Sequence, residues 1–495
     1  MGVSLRISAG AEPLWSERSG AFQRGRDAAS PGATAPQTAH APSIWLPLRF
    51  ILTGLLALFA GLLGLVARPD LLATYHYNQH IIALTHLLVL GWLSSVAMGA
   101  TYQLVPVALQ TRLWSERLAT WQFLLHVLGV GGMVWMFWVW NMKQVGHFGS
   151  VFALGVGLFV WNLARTLWRA PRRDLTALAI AGALGWLAAA ILFGLAIAAY
   201  KCTYDSETGL ATAVGVRSLV AALREVSHFM ARFDQLGAMH AHAHLGAVGF
   251  FTLLIVGVSY KLVPMFALSQ VQSLRRARLS IALLNVGLFG AFFTVLLRSP
   301  LKPLFALLTV AGLAIYAWEL RAILRARKRP ALDGGLVIFL TGVAWLLPVC
   351  ALALVLSWPR LPLNTFTGQL ENLYGFLGLL GFVTLAVIGM LYKIVPFLVW
   401  FGVYSRHVGL ARVPAFAEMF SGRLQRFGHG SYLAGLLVVS AGILASQAPL
   451  VRAGAGLLVL GVGALLANVA LMLRHLVRPQ LGPPLSTKPA DANAP

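Results

Sequence analysis

The sequence has little charge and almost no cysteine. Charged residues make up 11% of the 495 positions, and only 15 residues are acidic, whereas hydrophobic residues reach 58%. Such a composition is typical of a membrane protein rather than a soluble domain. Cys202 and Cys350 are the only two cysteines, which excludes a disulfide framework and any CxxC motif.

The sequence contains long apolar stretches with few charged residues. The mean hydropathy is +0.77, and several stretches exceed the roughly 20 residues that cross a bilayer. In lipid, the backbone N–H and C=O groups must form hydrogen bonds with one another. A composition rich in Leu, Ala and Gly favours helices over a barrel. We predict an all-α polytopic membrane protein with about twelve spans. The predicted spans, numbered 1 to 12 in chain order, cover residues 45–67, 80–108, 116–140, 146–168, 174–200, 238–267, 278–298, 303–325, 334–358, 371–401, 430–447 and 450–477.

The positive charge is distributed as a topology signal. The net charge is +23, and its arginines cluster after spans 4, 6 and 8 and between spans 10 and 11. The connections after spans 1, 3, 9 and 11 have few basic residues: Arg68, Lys143, Arg360 and Arg452. The positive-inside rule then places both termini in the cytoplasm, and we expect a bacterial inner membrane. This distribution argues against nucleic-acid binding and leaves the lipid bilayer as the first partner.

Polar segments flank the membrane domain. Residues 1–44 are rich in Ala, Pro, Ser and Arg, and residues 478–495 are rich in Pro. Both are predicted to be disordered cytoplasmic tails. The first tail lacks the apolar core and cleavage site of a signal peptide, so span 1 is expected to act as an uncleaved signal.

One helix-sized pattern occurs three times with identical internal spacing. The copies are HLLVLGWLSSVAMGATYQLVP from His86, HLGAVGFFTLLIVGVSYKLVP from His244 and FLGLLGFVTLAVIGMLYKIVP from Phe376. They fall on spans 2, 6 and 10, one in each group of four helices, which predicts a pseudo-threefold repeat. The glycines, eight residues apart, predict close helix contact, and the Tyr and Val-Pro near the end predict an interfacial anchor and a helix stop.

The histidines are the strongest candidates for a functional site. An ionisable residue inside an apolar span is costly and usually marks a site or a buried partner. Topology places His86 and His244 in the outer part of the membrane, with His240 and His242 at the same end of span 6. His240 and His244 are four residues apart and share a helix face, whereas His242 is rotated by roughly 200° and addresses another neighbour. Neutral imidazole binds haem iron, copper and zinc.

The remaining histidines carry weaker signals. His126, nearer mid-membrane, is read first as a hydrogen-bonded residue between helices, with metal ligation as the alternative. His147 at a helix mouth is read as structural. His76, His80 and His228 are expected at the interface.

The repeat with its histidines resembles subunit I of the haem-copper oxidase superfamily, especially the cytochrome-cbb type. That family has twelve helices in a pseudo-threefold arrangement, with metal ligands on the outer parts of helices 2, 6 and 10. The run from His244 through Gly257, Tyr260 and Pro264 is similar to its ligand helices, and His242-Ala-His244 resembles its His-x-His haem helix. The resemblance implies His86 and His244 as axial ligands of one haem b, and His242 as a ligand of a second centre. Candidate metal ligands are therefore His86, His244, His242, His240 and His126.

The sequence also departs from that family. The family's His-x-His pair belongs on helix 10, where Phe376 stands, and span 7 lacks the histidine pair and the tyrosine of the copper site. Copper could bind, but not at a complete three-histidine site, and oxygen reduction by the family mechanism is not expected. The NnrS-like proteins, twelve-helix haem- and copper-containing proteins linked to nitric oxide, share this looser histidine usage.

The resemblance implies a haem-binding membrane protein that transfers electrons or handles a diatomic gas, NO or O2. A cytochrome c or other respiratory subunits would be its partners. One alternative is a twelve-helix transporter, although the spans contain few deep charges for ion coupling and the repeat keeps one orientation. The other alternative is a non-catalytic partner of a respiratory complex. The residues alone leave open whether the protein is an enzyme.

Overall fold

A computed structural model describes residues 41–171, 173–205 and 217–483, and within these residues the chain forms helices and no extended strand. The fold is all-α, with twelve helices long and apolar enough to cross a membrane. In chain order, α1 to α12, these are Trp45–Ala67, Gln79–Ala108, Glu116–Trp138, Met142–Trp168, Leu175–Cys202, Gln235–Ala267, Leu274–Leu296, Lys302–Arg325, Gly334–Leu356, Thr365–His407, Gly422–Leu444 and Ala448–Val477.

The twelve predicted spans are confirmed, with differences at their ends. Helix α11 begins at Gly422 rather than residue 430, because the Ser421 side chain caps it by accepting from Leu424 N. Helix α10 begins at Thr365 rather than residue 371, where Asn364 caps it. The length of an apolar stretch predicts the membrane span, whereas the capping residue determines where the helix begins. Most of the two predicted tails, residues 1–40 and 484–495, lies outside the described residues.

In each four-helix group the first two helices approach closely at the repeat glycines. The repeat glycines of α2 contact α1, those of α6 contact α5, and those of α10 contact α9. A Cβ on Gly257 would lie 2.2 Å from Ala179 Cβ of α5, and one on Gly389 would lie 2.5 Å from Phe339 N of α9. The glycines therefore let paired backbones approach without side-chain obstruction, as the repeat predicted.

The repeat tyrosines and the proline of the third copy differ from the prediction. Tyr102 donates to Gln122 Oε1 at 3.3 Å, and Tyr260 lies 2.8 Å from Ser280 Oγ, so these tyrosines link helices inside the bundle rather than anchoring at an interface. The prolines lie close to the helix end in two copies, since α2 ends at Ala108 after Pro106 and α6 ends at Ala267 after Pro264. Only in the third copy does the helix continue well past the proline, from Pro396 to His407.

A π-helical segment follows the first residue of every repeat copy. The three segments are Leu87–Ser94, Leu245–Thr252 and Leu377–Val383. They begin directly after His86, His244 and Phe376. A π-turn is wider than an α-turn and is frequently found at functional sites. Its presence in all three copies extends the sequence repeat to the backbone.

The repeat glycines give a matched test of this packing. We expect Gly389→Ala to destabilise the protein by about 1–3 kcal/mol relative to Gly157→Ala, because the new Cβ meets the backbone of α9. A Cβ on Gly157 of α4 meets nothing within 4 Å, so this control carries the same gain in helix propensity without the contact. Denaturation in detergent measures both. Equal stability of the two variants would contradict close packing at Gly389.

Candidate functional site

Helices α2, α6 and α10 begin at one end of the bundle, which we call the histidine end because it carries the histidines of α2 and α6. The two repeat histidines there have the same local geometry. His86 Nδ1 lies 2.8 Å from Ile82 O, and His244 Nδ1 lies 2.7 Å from His240 O, each one turn earlier in its helix. A carbonyl oxygen can only accept, so Nδ1 carries the proton and Nε2 keeps its lone pair. In imidazoles that bind metals, a hydrogen bond from the nitrogen that does not bind the metal orients the ring and fixes its tautomer.

The rings of His86 and His244 face aromatic neighbours on adjacent helices. The His86 ring lies 4.6 Å from the Phe137 ring of α3. The His244 ring stacks on Tyr374 of α10 at 5.9 Å and 26°, with Tyr374 Oη 3.3 Å from His244 Nε2. Both histidines are partly buried. Neither ring is locked away in the packed core. The Nε2 lone pair of His86 is open to a ligand, whereas that of His244 accepts a hydrogen bond from Tyr374 Oη, which a ligand would have to replace.

His242 points to a different neighbour, as its helical rotation predicted. Its ring packs on α5 so closely that a Cβ on Gly194 would lie 2.7 Å from His242 Cε1. His242 interacts electrostatically with His86. Its Nδ1 is buried without a hydrogen-bond partner in the described part of the chain. A buried, unpaired ring nitrogen is costly unless something else binds it.

His126 lies between helices and away from the other candidate ligands. It is 1% exposed, and its Nε2 lies 2.8 Å from Ser95 Oγ of α2. This contact is the hydrogen bond between helices that the sequence predicted for His126. Its role as a metal ligand remains a prediction.

His240 belongs to a second cluster that the sequence did not reveal. Its Nε2 lies 3.1 Å from Nε2 of His76, and His76 Nε2 lies 4.0 Å from Glu371 Oε2. One ligand atom from each of the three residues lies within 4.8 Å of the others. From the sequence, His76 was expected only at the membrane interface, and Glu371 was given no role. Their meeting depends on how the segment before α2 folds over α6 and α10.

Amide side chains of α10 hold that segment in place. Gln369 Nε2 donates to Ala73 O at 2.8 Å, and Asn372 Nδ2 donates to Thr74 O at 2.6 Å. Asn372 Nδ2 also lies 2.7 Å from Gln369 Oε1, which joins the two amides. The backbone just before His76 is therefore fixed to the helix that carries Glu371. An amide-rich start of α10 was the signal in the sequence that could have indicated this contact.

The third repeat copy has no ligand at the equivalent place. Phe376 is 5% exposed and lies in the packed core beside Leu373 and Leu377. The copy thus keeps the helix packing and the π-segment but fills the ligand position with an apolar ring. The threefold frame therefore carries an asymmetric set of histidines.

No family model matches the chain, and no curated protein matches its sequence. Among solved structures, the chain is similar to a haem-copper terminal oxidase determined by cryo-electron microscopy as a dimer, with a TM-score of 0.57 and 13% sequence identity. The match covers 86% of this chain and 84% of that one. At this identity the likeness shows a shared fold, and the fold alone does not establish a function.

Proposed function

We propose that this chain is a haem-binding integral membrane protein that transfers electrons or handles a diatomic gas at the histidine end. One observation carries the proposal: the equivalent residues His86 and His244 both have Nδ1 bonded to a backbone carbonyl, which leaves Nε2 with a lone pair. The fold shared with a haem-copper terminal oxidase supports it. The bacterial inner membrane, cytoplasmic termini and respiratory partners inferred from the sequence belong to the same proposal.

The donor atoms of the site fit a b-type haem. Neutral imidazoles with oriented rings are ordinary axial ligands of haem iron. Aromatic rings beside His86 and His244 offer apolar surface to a macrocycle, and Nδ1 of a third imidazole, His242, is buried without a hydrogen-bond partner in the described residues. A bound haem would supply reversible one-electron chemistry at its iron. The chain would hold the iron, orient the imidazoles and limit access of water.

Two pairings of axial ligands follow from different observations. The repeat pairs His86 with His244, because they occupy equivalent positions and share one hydrogen-bond pattern. His242 is the alternative partner of His86, because the two rings lie near enough to each other to interact. If two histidines bind one iron, both axial positions are filled and electron transfer is favoured; a single histidine leaves a position open for a gas.

The sequence and the described residues do not supply a complete copper centre of the oxidase type. Helix α7 contains no histidine, and the third repeat position is Phe376. Copper is therefore not proposed beside the haem. For the transporter alternative, the fully buried carboxylate of Glu319 is already bonded to Arg276 Nε at 2.7 Å.

A spectrum of the purified protein tests the proposal. We expect a reduced-minus-oxidised spectrum of b-type haem, haem b in the pyridine haemochrome assay, and iron in proportion to haem. Carbon monoxide added to the reduced protein should change the spectrum only if an axial position is open. A colourless protein without iron, purified from haem-replete cells, would contradict the proposal.

A further inference from the structure

The cluster of His76, His240 and Glu371 is separate from the two repeat histidines. We propose that these three side chains bind one divalent first-row transition-metal ion at the histidine end. The three residues come from the segment before α2, from α6 and from α10. Their ligand atoms lie within 4.8 Å of one another, so the fold itself brings the donors together.

The spacing of the two imidazole nitrogens suits a shared ion. Zinc–nitrogen bonds are about 2.0–2.1 Å long, so two nitrogens on one ion lie roughly 2.9 Å apart at 90° and roughly 3.4 Å apart at the tetrahedral angle. The two Nε2 atoms, of His76 and His240, lie 3.1 Å apart. Their rings are inclined by 31° with centroids 5.4 Å apart. The two rings point nearly nose to nose, as in a hydrogen bond between them, so each ring has to tilt for both lone pairs to meet on one ion.

The His76 ring is already placed toward the cluster. Its Nε2 faces Nε2 of His240 at 3.1 Å. The Asn372 side chain, whose Oδ1 is buried, interacts with the ring. The backbone before His76 is held by Gln369 and Asn372. The ligand is thus positioned before any ion arrives.

The donor set selects the class of ion. Two imidazoles and one carboxylate suit zinc, iron or copper, whereas calcium and magnesium prefer sites made of oxygen. Glu371 Oε2 needs to move closer to the two nitrogens, since it lies 4.0 Å from His76 Nε2. Three protein ligands leave at least one coordination position open, as in catalytic zinc sites.

His240 connects this cluster to the repeat histidines through its backbone only. Its ring faces His76, whereas its carbonyl accepts the hydrogen bond from His244 Nδ1. Changing the ring therefore removes a metal donor and leaves the backbone carbonyl that orients His244. The two sites can be tested independently, and metal binding here does not require the proposed haem.

The test uses the full-length protein in detergent, with Zn2+ as the probe in competition with a chromogenic chelator. We expect one high-affinity Zn2+ per chain, and His76→Gln, His240→Gln and Glu371→Gln should each weaken binding by more than about tenfold, since even outer-shell partners contribute 10–100-fold. His80→Gln and His147→Gln, at other histidines of this end, should bind as the wild type does. Cu2+ substitution should give an electron paramagnetic resonance spectrum with two nitrogen ligands.

Several results would overturn the site. These are wild-type protein that binds no Zn2+ above the chelator, three variants with wild-type affinity, or loss of binding in the His80 and His147 controls as well. Size-exclusion profiles and unfolding temperatures show whether each variant is folded, and Glu371→Gln keeps the shape of its side chain. His86→Ala should keep Zn2+ whether or not haem is bound, which separates this proposal from the function proposed above.

Discussion

His86→Ala is expected to remove most of the haem from the purified protein. The Nδ1 hydrogen bond to Ile82 O orients this ring, so the substitution would remove a donor to the proposed haem iron rather than packing alone. We expect affinity to fall by more than the roughly 10- to 100-fold that loss of an outer-shell partner costs. The measurement is the ratio of haem to protein, with the reduced-minus-oxidised spectrum of what remains.

The companion variants identify the second ligand. If His86 and His244 bind the same iron, His244→Ala should also remove most of the haem. If His86 and His242 bind it, His242→Ala should do so instead. His147→Ala is the control, since this exposed side chain contacts Gln144 of its own helix. Wild-type haem content in all three of the His86, His242 and His244 variants would show that the repeat histidines do not hold haem.

Glu319→Ala is expected to lower the free energy of unfolding by about 3 kcal/mol, because it leaves partly buried partners without their acceptor. Glu319 Oε1 accepts from Gln272 N at 2.6 Å and Ser273 N at 2.9 Å, and Oε2 accepts from Arg276 Nε. The carboxylate is fully buried, whereas Arg276 is 27% exposed. It fixes the start of α7 to α8. Denaturant unfolding in detergent measures the change.

Two variants separate burial from charge. Asp70→Ala removes an ion pair with Arg68 at 2.9 Å, in which the Asp70 side chain is 49% exposed and the Arg68 side chain 42%, and it should lower stability far less than Glu319→Ala does. Glu319→Gln keeps a side-chain oxygen that accepts from the backbone N–H groups but loses the charge. Its loss of stability should therefore lie between those of Asp70→Ala and Glu319→Ala. Equal losses for Glu319→Ala and Asp70→Ala would show that the buried carboxylate is no more important than a surface pair.

Much of the architecture could be predicted because it depends on composition and period. Bilayer thickness fixes the length of an apolar helix, so twelve spans follow from the sequence. Three copies of one pattern with fixed glycine spacing predict paired helices, and the contacts of Gly257 and Gly389 confirm them. The separate faces of His242 and of the pair His240 and His244 follow from helical geometry.

The sequence by itself determined the number of helices, their grouping and the helix faces of the candidate ligands, because these are local or periodic properties. Only the tertiary structure decided three other features: the π-segments after the first repeat residues, the burial of Phe376, and the meeting of His76, His240 and Glu371. Each depends on packing between segments distant in the chain. A π-turn needs neighbouring helices to stabilise its poorer backbone geometry, and a three-residue cluster needs the fold to close before its side chains can meet.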